Sequence, residues 1–218
     1  MSAVSEIAIW NLALSHVASG DEVQDIAENS AGANACRRFY DQARQEVLSD
    51  FPWPFATTTI ALSVVANNPT TEWAFSYRYP SNCLTLQRLL GAVRNESRAT
   101  RVPYRIQRDS QGPVLFTDWP NAQAQFTVDV TDTTQFSATF AQALAFLLAS
   151  YIAPRVTGGD PYNLGTRALK LYQWAMMRAQ NNAANEEQPE APPESEFILA
   201  REGGLTSATV FDQPGPFQ

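Results

Sequence analysis

Between residues 35 and 56 the chain reads ACRRFYDQARQEVLSDFPWPFA, with apolar side chains returning every three or four positions at Cys36, Phe39 or Tyr40, Ala43, Val47 and Phe51. Arg37, Arg38, Asp41, Arg44, Glu46 and Asp50 fill the intervening turns, so the pattern predicts a helix with one core-seeking face and one charged face. Pro52 and Pro54 lack backbone donors and push the residues before them toward extended conformation, which ends the helix near Phe51 and fixes the chain's direction. Trp53 and Phe55 are then expected to be buried at this corner. Upstream, Ile7, Trp10, Leu14 and Val17 predict a first helix over residues 5–19 that stops at Gly20. Residues 21–31 are acidic and mixed, a loop with a short helical turn over 22–27.

After Phe55 the period changes to two. Thr58, Ile60, Leu62 and Val64 alternate, residues 67–71 read NNPTT, and Trp73, Phe75, Tyr77 and Tyr79 then place four aromatics on one face of a second strand. Such a row is suited to stacking nucleic-acid bases, but the opposite face offers only Ala74, Ser76 and Arg78, and a sandwich core is the favoured reading. Residues 84–90, 102–107, 114–117 and 124–131 are further strand candidates, separated at short intervals by Asn, Gly, Asp and Pro.

Helical spacing resumes at Ser137, a cap, and continues through Phe140, Leu144, Leu147, Leu148, Tyr151 and Ile152 to Pro154. Gly158, Gly159, Asp160 and Pro161 make a turn. A last helix over 161–184 carries Leu164, Ala168, Leu171, Tyr172, Ala175 and Ala179 at core spacing. The apolar run 138–153 falls short of the roughly 20 residues needed to cross a bilayer and contains Gln142, so it is expected to be a buried core helix with no membrane partner. Two helix pairs that flank a β stretch bury their faces most simply against each other. The expected fold is therefore α+β: a four-helix bundle from residues 1–56 and 133–184, an inserted, sandwich-like antiparallel β domain over 57–132, and an extended C-terminal tail over 185–218.

Composition changes this picture mainly at its end. The 218 residues are 44% hydrophobic, enough for a sizeable core. The net charge is −7, yet residues 185–218 hold seven acidic side chains against Arg201 alone and account for −6 of it. The segment NEEQPEAPPESE is too poor in apolar groups to order itself and is expected to be a flexible linker. Phe197, Ile198, Leu199, Val210 and Phe211 beyond it suit a docking peptide on a tether; the plainer alternative is a frayed terminus. Residues 1–20 carry Glu6 and no basic cluster, so they do not resemble a secretory signal, and an intracellular product is expected.

Candidate chemistry is sparse. Cys36 and Cys83 have no metal-site spacing and are expected to be two buried free thiols. His16 is the sole histidine, which excludes any site needing two imidazoles, and it is expected to be structural and half-exposed. No glycine-rich phosphate loop is present, and no carboxylate pair stands out from the surface charge. No catalytic, metal or cofactor residue is assigned. One basic cluster, Arg88, Arg94, Arg98, Arg101, Arg105 and Arg108, is suited to DNA phosphates, to an acidic neighbouring subunit, or to a solvated loop. With no aromatic interleaving beyond Tyr104, sequence-specific reading of DNA has little support, and a non-specific backbone-facing or subunit-facing role stays open.

In their order along the chain, CRRFYDQAR, VLSDFPWPFA, YRYPSNCL and FSATFAQALAFLLASYIAPRVTG resemble the tail tubular protein A family of short-tailed bacteriophages, which are head-to-tail adaptors. The resemblance runs from the first helix to about residue 184. Pro54 and Asn82 depart from it, standing where the family usually has Asn and an acidic residue. It implies a dodecameric ring under the portal protein that extends the DNA channel, lets DNA pass without specific contact, and meets the tail nozzle and the fibres or spikes. The expected location is the neck or tail of the virion, after assembly in the host cytoplasm. In such a ring Arg37, Arg38, Arg44 and the arginines from Arg94 to Arg105 are candidates for charge pairs between subunits. Two alternatives stand beside this reading. A completion or connector protein of a long-tailed phage shares the helical plan, and a hydrolase with an unrecognised site would need His16 or a carboxylate.

Overall fold

A computed structural model of the chain describes residues 5–17, 20, 22–65, 72–91 and 102–186, the side chains of 183–186 excepted. The fold is mixed α+β, with helices α1 (Glu6–His16), α2 (Ala31–Asp50), α3 (Ala138–Val156) and α4 (Leu164–Glu186) around two small antiparallel sheets. Strands β1 (Thr57–Ala61), β6 (Gln123–Val128) and β3 (Cys83–Leu90) form one sheet in that order. Strands β2 (Phe75–Arg78), β5 (Gly112–Thr117) and β4 (Arg105–Asp109) form the other.

Three of the four helices start on a serine whose hydroxyl accepts an otherwise unpaired N–H of the first turn: Ser5 from Ala8, Ser30 from Ala33 and Ser137 from Phe140, at 3.1–3.2 Å. α4 uses Asp160 instead, which accepts from Leu164 at 2.6 Å and Gly165 at 2.9 Å. The turn before it needs glycine, since Gly158 and Gly159 sit at φ +69° and +114°.

α3 is the hub. α1, α2 and α4 all pack on it, and Phe140, Ala141, Ala143 through Ala149, Ile152 and Ala153 are buried. By length and composition α3 is apolar enough to cross a membrane, and an 18-residue stretch of it is 61% buried inside the protein. Cys36, Tyr40, Ala43 and Val47 of α2 are buried in the same core, as their spacing implies. A second core lies between the sheets: Leu62, Tyr77, Leu89, Leu115, Ala124 and Phe126, with Phe75 packed against them. The Tyr77 hydroxyl donates to the Trp119 carbonyl at 2.9 Å. This bears out the packed-core reading of the aromatic strand, although Trp73 and Tyr79 lie outside β2.

Several expectations are corrected. α1 ends at His16, ahead of Gly20, because the Val17 N–H turns back to the Leu14 carbonyl at 3.0 Å and tightens the last turn. Ile60 and Val64 are exposed, Val64 at 61%. The alternating run spans two sheets: β1 is an edge strand beside β6, and residues 63–65 then pair with β2 through Val65 N–H to Ser76 O and Arg78 N–H to Ser63 O, both 2.8 Å. α3 also continues past Pro154 to Val156. A proline in the last turn removes one ladder bond, and the Thr157 N–H to Ala153 O bond at 3.0 Å holds the end. α4 begins at Leu164, later than expected, and also buries Met176.

Candidate interaction surfaces

The corner after α2 holds the first group of singled-out residues. Pro52 and Pro54 are exposed, Phe55 is half-buried and Trp53 is 2% exposed. Extended backbone at Phe51 and a 3-10 turn at Pro54–Ala56 place the Trp53 indole under the end of α2, where Nε1 donates to the Val47 carbonyl at 2.8 Å. Its ring meets Phe51 and Phe140 edge-on, each at 5.1 Å between centroids. Phe55 lies 5.9 Å from Phe136 and 5.2 Å from Phe140. The aromatics of the segment that leaves the helices and of the segment that returns to them thus form one cluster, inside the helical core. The corner is a packed part of that core.

A second pin lies 3% exposed on α2. Arg44 pairs with Asp129, just after β6, and donates to the Val130 carbonyl at 2.9 Å. Gln45 donates to the other Asp129 oxygen at 3.0 Å. The sequence reading put Arg44 on the charged face and among the subunit-pairing candidates; its guanidinium is instead consumed inside the chain, because the β6 end brings a carboxylate against α2. Arg37 is corrected likewise: it donates to the Ile26 carbonyl, to Glu28 O at 2.9 Å and to Asn34 Oδ1 at 2.9 Å, which holds the preceding loop on α2. Arg38 stays exposed, 6.0 Å over the Phe39 ring.

Farther along α2, two carboxylates join the other long helices. Tyr151 of α3 donates to Glu46, and Tyr172 of α4 donates to Asp50 at 2.5 Å. Burial, then the bonded carboxylate, raises both phenols, Tyr151 to about 12, and burial pushes the Cys36 thiol up to about 12. Raised folded-state pKa values contribute stability that is intact below the unfolded values of 9.0 and 10.0 and is lost as pH rises through the folded ones. The urea midpoint is therefore expected to fall between about pH 9 and pH 12, and a Tyr151→Phe/Tyr172→Phe variant to show a shallower fall. Equal slopes in the two proteins would contradict the assignment.

The basic cluster is only partly described. Arg105 lies exposed on β4, an edge strand among the described residues, with Nη1 3.4 Å from the Glu72 carboxylate, a surface pair worth little. Arg94, Arg98 and Arg101 lie outside the described residues, as do Phe197, Ile198, Leu199, Val210 and Phe211. Arg78, outside the cluster, is tied to Asp109 at 3.0 Å.

Sequence reasoning missed the outer face of α4, where Leu169, Trp174 and Met177 are exposed. The signal was there: Trp174 falls outside the core spacing of Ala168, Leu171, Tyr172, Ala175 and Ala179. His16 is half-exposed, as expected, and packs 4.7 Å from Phe146; burial and then Arg167 lower its pKa. Cys36 is buried as expected, but Cys83 is only half-buried, its thiol donating to the Tyr79 hydroxyl at 3.1 Å. Among the described residues no group of three or more His, Cys, Asp or Glu is placed to hold a metal ion. Set against known protein families and functionally characterised proteins, the chain matches none.

Proposed function

We propose that this chain is a head-to-tail adaptor subunit of a short-tailed bacteriophage, of the tail tubular protein A family, and not an enzyme. The order of motifs supports the reading, and one structural observation carries it furthest. The β part is tied to the helices at both of its ends, by the Trp53–Phe55–Phe136–Phe140 aromatic cluster and by Arg44–Asp129. A ring subunit needs this property: a body in which the part that touches identical neighbours and the part that touches a different partner keep one mutual angle.

In this reading the four helices are a bundle that builds a dodecameric ring, and the β strands form a sandwich-like projection toward the nozzle and the fibres or spikes. The chain beyond α4, which ends at Glu186 and not at the expected residue 184, is an extended tail that reaches the portal through Phe197, Ile198, Leu199, Val210 and Phe211. Arg94, Arg98, Arg101 and Arg105 face the DNA channel or the neighbouring subunit. The protein works in the neck of the virion and holds no cofactor. Co-sedimentation with purified portal rings tests this: the full chain is expected to travel with the portal, and a chain lacking residues 194–218 to bind more weakly. Equal binding of the truncated chain would remove the tail from the account, and no binding by either would overturn it.

A further inference from the structure

On α4, Met177 follows Trp174 by three residues, so these two exposed side chains are neighbours on one helix face, and the exposed Leu169 lies about two turns before Met177. Trp174 is 73% exposed, a large apolar surface to leave in water. Arg167, Lys170 and Arg178 surround this face, all exposed and none ion-paired among the described residues, and α4 has no acidic residue before Glu186. The chain that continues from Glu186 has the opposite character: Glu187, Glu190, Glu194 and Glu196 precede Phe197, Ile198 and Leu199.

Length permits the two to meet. Trp174 lies twelve residues, about 18 Å, back along the helix from Glu186, and residues 187–196 span up to about 33 Å when extended. A short tether also gives the segment a high effective concentration at its own helix. We propose that in the free chain residues 187–199 fold back on α4 of the same molecule, with Phe197, Ile198 and Leu199 over Trp174 and Met177 and the glutamates facing Lys170 and Arg178. The adaptor reading adds only that portal contact later releases this segment; the covering needs no portal.

Acrylamide quenching of the full-length protein alone tests it. Trp10 and Trp53 are buried and Trp73 and Trp119 half-buried, so the exposed-indole signal belongs to Trp174, and a Trp174→Phe variant isolates it by difference. The Trp174 signal is expected to be protected in the wild-type chain, equally at high and low protein concentration, and to lose that protection in a Phe197→Ser/Ile198→Ser/Leu199→Ser variant. Identical quenching in the wild-type and triple-serine chains overturns the proposal. Protection that vanishes on dilution overturns the same-chain arrangement in favour of a second copy, and protection that appears only with portal added assigns the face to the portal. Because no portal is used in the first comparison, its failure leaves the adaptor reading standing.

Discussion

Replacing Trp53 with Ala is expected to cost the protein about 3–5 kcal/mol, the range for deleting a buried aromatic from a core that cannot collapse around the gap. The indole is surrounded by Phe51, Phe55 and Phe140, and its N–H is the partner of the Val47 carbonyl at 2.8 Å. Trp53→Phe keeps most of the ring contact and loses that bond, so it is expected to cost far less, about 1–2 kcal/mol. Chemical denaturation followed by far-UV circular dichroism checks both. Because the corner packs on α3, the Ala variant is expected to destabilise the helices themselves. A variant of native stability whose only defect lay in binding would show that the corner acts as a joint alone.

At the other pin the two partners are expected to be unequal. Asp129→Ala leaves a guanidinium that is 3% exposed without its counter-charge, a loss of about 3–5 kcal/mol. Arg44→Met leaves a carboxylate that is 26% exposed, able to turn to water and to keep the Gln45 amide, and should cost about 1–2 kcal/mol. Urea midpoints of the two single variants read the difference directly. Equal losses would mean that Arg44 finds another partner, Asp41 at 3.4 Å being the nearest.

These two pins also divide what was legible in the sequence from what was not. The Trp53 corner was readable because its signals are local: two prolines stop a helix and an aromatic pair must find cover. The serine caps and α3, with its buried run from Ala143 to Ala149, follow from short-range pattern in the same way. Arg44 was not readable, because an arginine at helix spacing beside Asp41 looks like solvent-facing charge, and the partner that buries it lies 85 residues away. Ile60 and Val64 failed for a related reason, since period-two alternation says nothing about the point where a chain passes from one sheet to another. The exposed Trp174 stood in plain view, but a search for core spacing discards the residues that break it. The tail beyond Glu186 and half of the arginine cluster, Arg94, Arg98 and Arg101, were assigned from sequence alone and lie outside the described residues.

The central claim, a subunit that forms a ring on the portal, is tested most directly by native mass measurement of the purified full-length protein with and without its portal. The account predicts a portal complex heavier than the portal by a fixed, dodecameric complement of 24.1 kDa chains. A chain that kept its own mass in both samples, with no complex formed, would contradict it.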